Sequence, residues 1–295
     1  MPKLHNVLLA IQQSDEASEV LEKLQRMIPN TGPQPHVSAV RVVYDAMVSS
    51  RHVVDADKLQ RYILDAESPY LRDAIDDCNT WIEPIEDHTT WHKVVWQGIV
   101  ETASQNQADL IIKHISDADQ PRLLHTPDDW NLLRHSPCPV LLTRARPWAA
   151  RANVVAAVDT FDTEHRELNV RILESAKTMA AQLHATLHIV CVFPLVANWL
   201  DQVTSVSSYQ HLKAEIEADV INEVTQLCQA QQVMNYELHA REGLAEIAIE
   251  QLVEAQQADL LIVGTNARQG ISGFVLGNTA EKILSHTTAD VLTIP

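Results

Sequence analysis

The chain has 295 residues, 46% of them apolar, enough to bury two cores of ordinary size. Its 22 basic against 39 acidic side chains leave a net charge of −17, which excludes the basic footprint of a nucleic-acid binder or of a protein held to an anionic membrane. No apolar run approaches the roughly 18 residues of a membrane span, no signal-peptide pattern opens the chain, and Cys78, Cys138, Cys191 and Cys228 lack C-x-x-C spacing, so a soluble cytoplasmic protein with free thiols is expected.

In chain order, Asn6-Val-Leu-Leu-Ala-Ile11 is a short apolar run of the kind a strand buried on both faces requires, and it places the first strand over 6–12. Further strands are expected over 37–44, 91–96, 109–114 and 139–143, with helices in the gaps. The acid-rich segment 55–87 carries Asp65, Glu67, Asp73, Asp76, Asp77, Glu83 and Glu86 between Leu59, Ile63, Leu71, Ile75 and Ile82 near helical period. It reads as an amphipathic second helix with a solvated acidic face. His88 and His92 fall where Thr89 to Val95 reads as a turn entering a strand, so their four-residue spacing puts them on no common helical face. Arg144 to Arg151, interrupted by Pro147, is the natural linker and divides the chain into domains 1–148 and 149–295.

The second half repeats the pattern, with strands expected over 153–159, 186–193, 235–240, 259–264 and 290–294. Asn153-Val-Val-Ala-Ala-Val158 matches the first strand, Gln257-Ala-Asp-Leu-Leu-Ile262 matches Gln107-Ala-Asp-Leu-Ile-Ile112, and Leu284-Ser-His286 matches Leu133-Arg-His135, at an offset close to 150 residues. Each half is therefore an α/β domain of alternating strands and helices with a five-stranded parallel sheet. Ala197 to Ser208 is uncharged except for Asp201 and puts Trp199 and Leu200 on a loop, there to cover a pocket, meet a partner or pack against the neighbouring domain. His184 and His188 straddle a helix end and a strand without a third ligand at recognisable spacing, so no metal site is expected. Ser272 lies in Gly-Ile-Ser-Gly, not in a nucleophile elbow, and no catalytic residue is assigned.

Four of the seven glycines fall between Gly264 and Gly277. The fourth strand of the second half runs into Gly264-Thr-Asn-Ala-Arg-Gln-Gly270, and a helix opens at Gly277-Asn-Thr-Ala280. Glycine at a strand exit and a helix entry lets backbone N–H groups approach an anion, and the helix N-terminus adds partial positive charge. A flexible loop with a routine Asn278 or Thr279 cap is the plainer reading of the same residues. Gly264-x-x-Ala267-x₉-Gly277-Asn278 resembles the universal stress protein signature G-x-x-G-x₉-G-[S/T], and the resemblance covers both halves. The tandem layout, with Thr126-Pro-Asp-Asp-Trp-Asn-Leu-Leu133, is similar to the bacterial universal stress protein E branch.

The resemblance implies two tandem Rossmann-like domains of the adenine nucleotide alpha hydrolase type and a non-enzymatic role in the stress response. It also implies an adenine nucleotide such as ATP with Mg²⁺, held by Asp159 at the adenine end and by Gly264, Ala267, Arg268, Gly277, Asn278 and Thr279. Ala267 and Asn278 depart from the signature: a Cβ at 267 opposes a left-handed backbone or a close phosphate, whereas the Asn278 amide still donates. The first half departs further, with His114, Thr126-Pro127 and Gln12 at the positions of Gly264, Gly277-Asn278 and Asp159, and with Asp117, Asp119, Asp128 and Asp129 nearby. No ATP is expected there. The resemblance further implies an intramolecular pseudo-dimer in which Val140-Leu-Leu142 and Val291-Leu-Thr293 pair, with a homodimer of chains as a further level. The alternatives are a slow ATPase, or a binding module for an apolar or amphiphilic small molecule between the domains.

Overall fold

A computed structural model describes residues 4–29, 33–50, 53–78, 80–115, 127–194, 206–265 and 278–295. The chain divides into two compact units, one ending at Pro147 and one running Trp148–Pro295. The first contains β1 (Asn6–Ala10), α1 (Ser14–Met27), β2 (His36–Val43), α2 (Ala56–Asp76), β3 (Ile85–Trp91), α3 (Val95–Gln105), β4 (Leu110–His114), α4 (Pro127–His135) and β5 (Val140–Thr143). The second contains β6 (Asn153–Val158), α5 (Arg166–Gln182), β7 (Thr186–Phe193), α6 (Val206–Ala230), β8 (Tyr236–Glu242), α7 (Ala245–Ala255), β9 (Leu260–Gly264), α8 (Asn278–His286) and β10 (Asp290–Ile294).

Within the first unit the parallel strands lie in the order β3-β2-β1-β4-β5, and within the second in the order β10-β9-β6-β7-β8. The central strands are continuous apolar runs because helices cover both faces: Leu8, Leu9, Ile111, Ile112, Val154, Val155, Leu261 and Ile262 are all 0% exposed. Each half thus reverses strand order beside its first strand, at β1/β4 and at β6/β9. Such a reversal opens a crevice at the carboxyl ends.

The letters shared by the halves acquire reasons. Asp109 accepts the backbone N–H groups of His5 and Asn6 at 2.7 and 3.0 Å, and Asp259 accepts those of Ala149 and Asn153 at 3.0 and 2.9 Å. Asn6 Nδ2 donates to the Gln107 carbonyl at 3.2 Å, as Asn153 Nδ2 does to that of Gln256 at 2.9 Å. Gln107 and Gln257 follow α3 and α7 with φ of 50° and 47°, the left-handed turn that ends a helix. The repeated Gln-Ala-Asp is therefore a helix stop followed by a clamp on the first strand.

Two expectations need correction. The third strand is Ile85–Trp91, not 91–96, because the apolar run Val94-Val95-Trp96 belongs to the start of α3. The true strand is half polar because, lying last in its order, it pairs only with β2. Consequently His88 sits within a strand and His92 beyond its end, where His92 Nδ1 accepts the N–H of Val94 at 3.0 Å. The second helix stops at Asp76, leaving Ile82, Glu83, Glu86 and Asp87 outside it. Its Glu67 pairs with Arg41, and its Arg72 pairs with Asp87 of β3 at 3.1 Å. Within the linker segment 144–151, Arg144 and Trp148 are buried, Lys23 Nζ donates to the Arg146 carbonyl, and Trp148 Nε1 donates to Asp290 at 2.8 Å. Trp199 and Leu200 lie outside the described residues. No described helix is long and apolar enough to cross a membrane.

Candidate nucleotide site at the strand-order switch

The crevice of the second unit lies where β6 and β9 end. Asp159, the residue after β6, is fixed from three directions. Its backbone N–H donates to Asn169 Oδ1 at 3.0 Å, and Asn169 Nδ2 donates to its carbonyl at 2.5 Å. Asn169 lies in the first turn of α5 and is 3% exposed, so both bonds are sheltered from water. The Asp159 carboxylate accepts the N–H of Phe161 at 3.0 Å through one oxygen, and His165 Nδ1 stands 3.0 Å from the other. That carboxylate is half exposed. An ionised carboxylate offers about four lone-pair sites, so two remain for a ligand N–H or hydroxyl.

Across the crevice β9 ends at Gly264. A Cβ built there meets Leu168 Cδ2 at 2.5 Å and Leu168 Cγ at 2.9 Å. Helix α5 therefore approaches the strand exit as closely as a missing side chain allows. The next residue, Thr265, is buried and donates its N–H to the Ile294 carbonyl at 2.9 Å, holding the exit against β10. Helix α8 starts at Asn278, so its positive dipole end lies at the chain position that the G-x₉-G spacing selects. Ala267, Arg268 and Gly277 lie outside the described residues, as do the side chains of Asn278 and Thr279. Of the sequence-selected residues, the structure thus brings Asp159 and Gly264 to the same switch point. Asn169 and His165 join them unforeseen, because nothing in their own sequence context marks them.

The equivalent place in the first unit is filled by its own side chains. His114, at the position of Gly264, is 7% exposed, with Nδ1 3.5 Å from the Thr143 hydroxyl. Lys113 forms an ion pair with Asp129 at 2.9 Å, both side chains largely buried. Asp129 is thus neutralised in place and is not the free negative charge expected from its sequence. At the position of Asp159, the N–H groups of Gln12 and Gln13 donate to Glu16 at 2.6 and 3.3 Å, and the Gln12 carbonyl accepts from Arg41 at 3.2 Å. Burial raises the Glu16 carboxyl above its ordinary range, with the N–H of Gln12 and the charge of Lys113 opposing.

Elsewhere in the second unit a polar cavity of about 490 Å³ lies between α6, β8 and α7, where Glu242 binds Tyr209 and Lys213. A cluster of His188, Glu237 and His239 joins β7 to β8. Sequence spacing signalled neither.

The chain matches the universal stress protein family twice, over residues 3–144 and 151–295. It is 26% identical to universal stress protein E of Photorhabdus laumondii, covering 100% of this chain and 96% of that protein. It is 30% identical to universal stress protein E of Escherichia coli K12 over 72% of this chain and 68% of that one. A solved universal stress protein from Pseudomonas aeruginosa UCBPP-PA14 superposes with a TM-score of 0.70 at 28% identity, covering 99% of this chain and 93% of the other. The repeated α/β architecture and these matches lead to one conclusion: the chain belongs to the universal stress protein family, as a tandem member carrying two family domains.

Proposed function

We propose that this tandem stress-response protein binds an adenine nucleotide, with ATP and Mg²⁺ the form to test first, in its second domain alone. The supporting observation is the contrast between the halves. Asp159 is presented half exposed beside a strand exit without a Cβ, whereas the same place in the first domain is occupied by His114, Lys113, Asp129 and Glu16. Asp159 suits the exocyclic amine or ribose hydroxyl of the nucleotide, and the α8 N-terminus suits its phosphates. Ala267, Arg268, Gly277, Asn278 and Thr279 complete the proposed contact set.

Titration calorimetry of the full chain with Mg·ATP tests the reading. Binding of one nucleotide per chain, weakened by Gly277→Asp and by Asp159→Ala, is the expected outcome. No detectable heat at millimolar ATP overturns it. The finer assembly belongs to the same proposal: the last strands of the two domains pair within one cytoplasmic chain, and chains associate further as homodimers. A paired-cysteine variant, Leu141→Cys with Leu292→Cys, tests the strand pairing by disulfide formation on oxidation.

A further inference from the structure

Strands β7 and β8 bring together a second constellation, toward their amino ends and so away from the nucleotide crevice. In the parallel register His188 lies opposite Glu237, and Val190 opposite His239. Alternate residues of a strand share a face, so His188, Glu237 and His239 project to the same side of the sheet. His188 Nδ1 is 3.2 Å from His239 Nε2 and 3.4 Å from the nearer Glu237 carboxylate oxygen, and all three ligand atoms lie within 4.8 Å of one another. Ligands about 2.0–2.2 Å from a tetrahedral ion lie roughly 3.3–3.6 Å apart. The two separations from His188 Nδ1, 3.2 and 3.4 Å, are close to that size.

We propose that His188, Glu237 and His239 form a binding site for a divalent transition-metal ion of the zinc type, with water completing the coordination. Two imidazoles and one carboxylate match the borderline character of zinc, nickel or copper and not the all-oxygen preference of magnesium or calcium. The strand backbone fixes all three Cα positions. His188 is also almost wholly buried, so little side-chain freedom remains to be lost on binding. Glu237 is 62% exposed and lies on the last strand, which leaves an entry path from solvent.

The first domain supplies an internal comparison. Its β3 repeats the Glu-x-His pair as Glu86 and His88, but Ser38 lies opposite Glu86, where His188 lies opposite Glu237. The Ser38 hydroxyl is buried and accepts from Asn106 Nδ2 at 3.1 Å, while Glu86 turns to His36 at 3.1 Å. One substitution at the β7 position therefore separates a complete ligand set from an incomplete one.

The experiment is a Zn²⁺ titration of the metal-stripped full chain against a chromophoric chelator, with Co²⁺ absorption as a second readout. Wild type is expected to bind one equivalent more tightly than His239→Ala or His188→Ser, the latter copying the first domain and so retaining a foldable arrangement. The exposed Glu237→Gln weakens that equivalent by at least about tenfold, and His88→Ala leaves it unchanged. Visible bands of four-coordinate Co²⁺ appear in wild type and vanish in His239→Ala. Equal Zn²⁺ affinity and stoichiometry in wild type, Glu237→Gln and His239→Ala, all folded by circular dichroism, would overturn the proposal and leave a hydrogen-bonded histidine pair. Nucleotide binding is read separately, so either proposal can fail without the other.

Discussion

Gly264→Ala is a sharp test of how the second domain builds its crevice. The new methyl carbon starts 2.5 Å from Leu168 Cδ2 and 2.9 Å from Cγ, well inside van der Waals contact. The Cδ2 methyl can rotate away about χ2, but Cγ moves only by a change of χ1 or a shift of the first turn of α5, and Leu168 is 7% exposed, so either move meets packed neighbours. Overpacking of this kind costs about 1–3 kcal/mol. Displacing α5 also shifts Asn169, the next residue, and with it the clamp on Asp159. The loss is therefore expected in both stability and nucleotide affinity. Hydrogen exchange followed by mass spectrometry in urea is the suitable assay, because it reads peptides of the second domain apart from those of the first, where a single two-state midpoint does not apply. The double variant Gly264→Ala/Leu168→Ala should be less destabilised than the sum of the single changes, since removing the Leu168 side chain removes the clash. Gly264→Ala within about 0.5 kcal/mol of wild type, or strict additivity of the pair, would refute the steric argument.

Other outcomes follow from the same contacts. Asn169→Ala removes the partner of the part-buried N–H and carbonyl of Asp159 and should cost about 1 kcal/mol by local exchange of α5, together with a loss of nucleotide affinity. Lys113→Met removes the ammonium beside buried Asp129 and should destabilise the first domain by about 3 kcal/mol in denaturant titration, with Lys113→Met/Asp129→Asn losing less. Gln257→Gly relieves an L-residue held at φ 47° and should stabilise the second domain by on the order of 0.5–1 kcal/mol; no gain would mean that the Gln257 side chain contributes contacts of its own. Burial pushes the Cys138 thiol up to about 11, and Cys191 and Cys228 are likewise buried and raised. At pH 8 the thiolate fraction of these three is small, so a disulfide reagent should titrate the less buried Cys78 first and the others only on unfolding.

The strands that cross the middle of each half were readable in advance because β1, β4, β6 and β9 are buried on both faces and carry uninterrupted apolar runs. The repeat could be read letter by letter for the same reason that it persists: Asn6 with Asp109 and Asn153 with Asp259 perform one clamp twice. Where a strand lies at the end of its order, composition misleads. Ile85–Trp91 carries Glu, Asp, His and Thr, while the more apolar Val94-Val95-Trp96 next to it opens a helix.

At the site, linear spacing was enough to select Gly264 and Asp159, since both follow strand ends that the apolar pattern locates. It was not enough to find Asn169 and His165, which reach Asp159 from the next helix, or His188 with Glu237 and His239, which are about fifty residues apart in sequence. Periodicity along the chain fixes which face of its own element a residue occupies, and so the sequence determines elements, repeat and family. Register between strands and the approach of a helix to a strand end decide which residues of different elements meet. Those depend on packing across the whole domain, and only the tertiary structure shows that Leu168 packs directly against Gly264 while His114 fills the counterpart position.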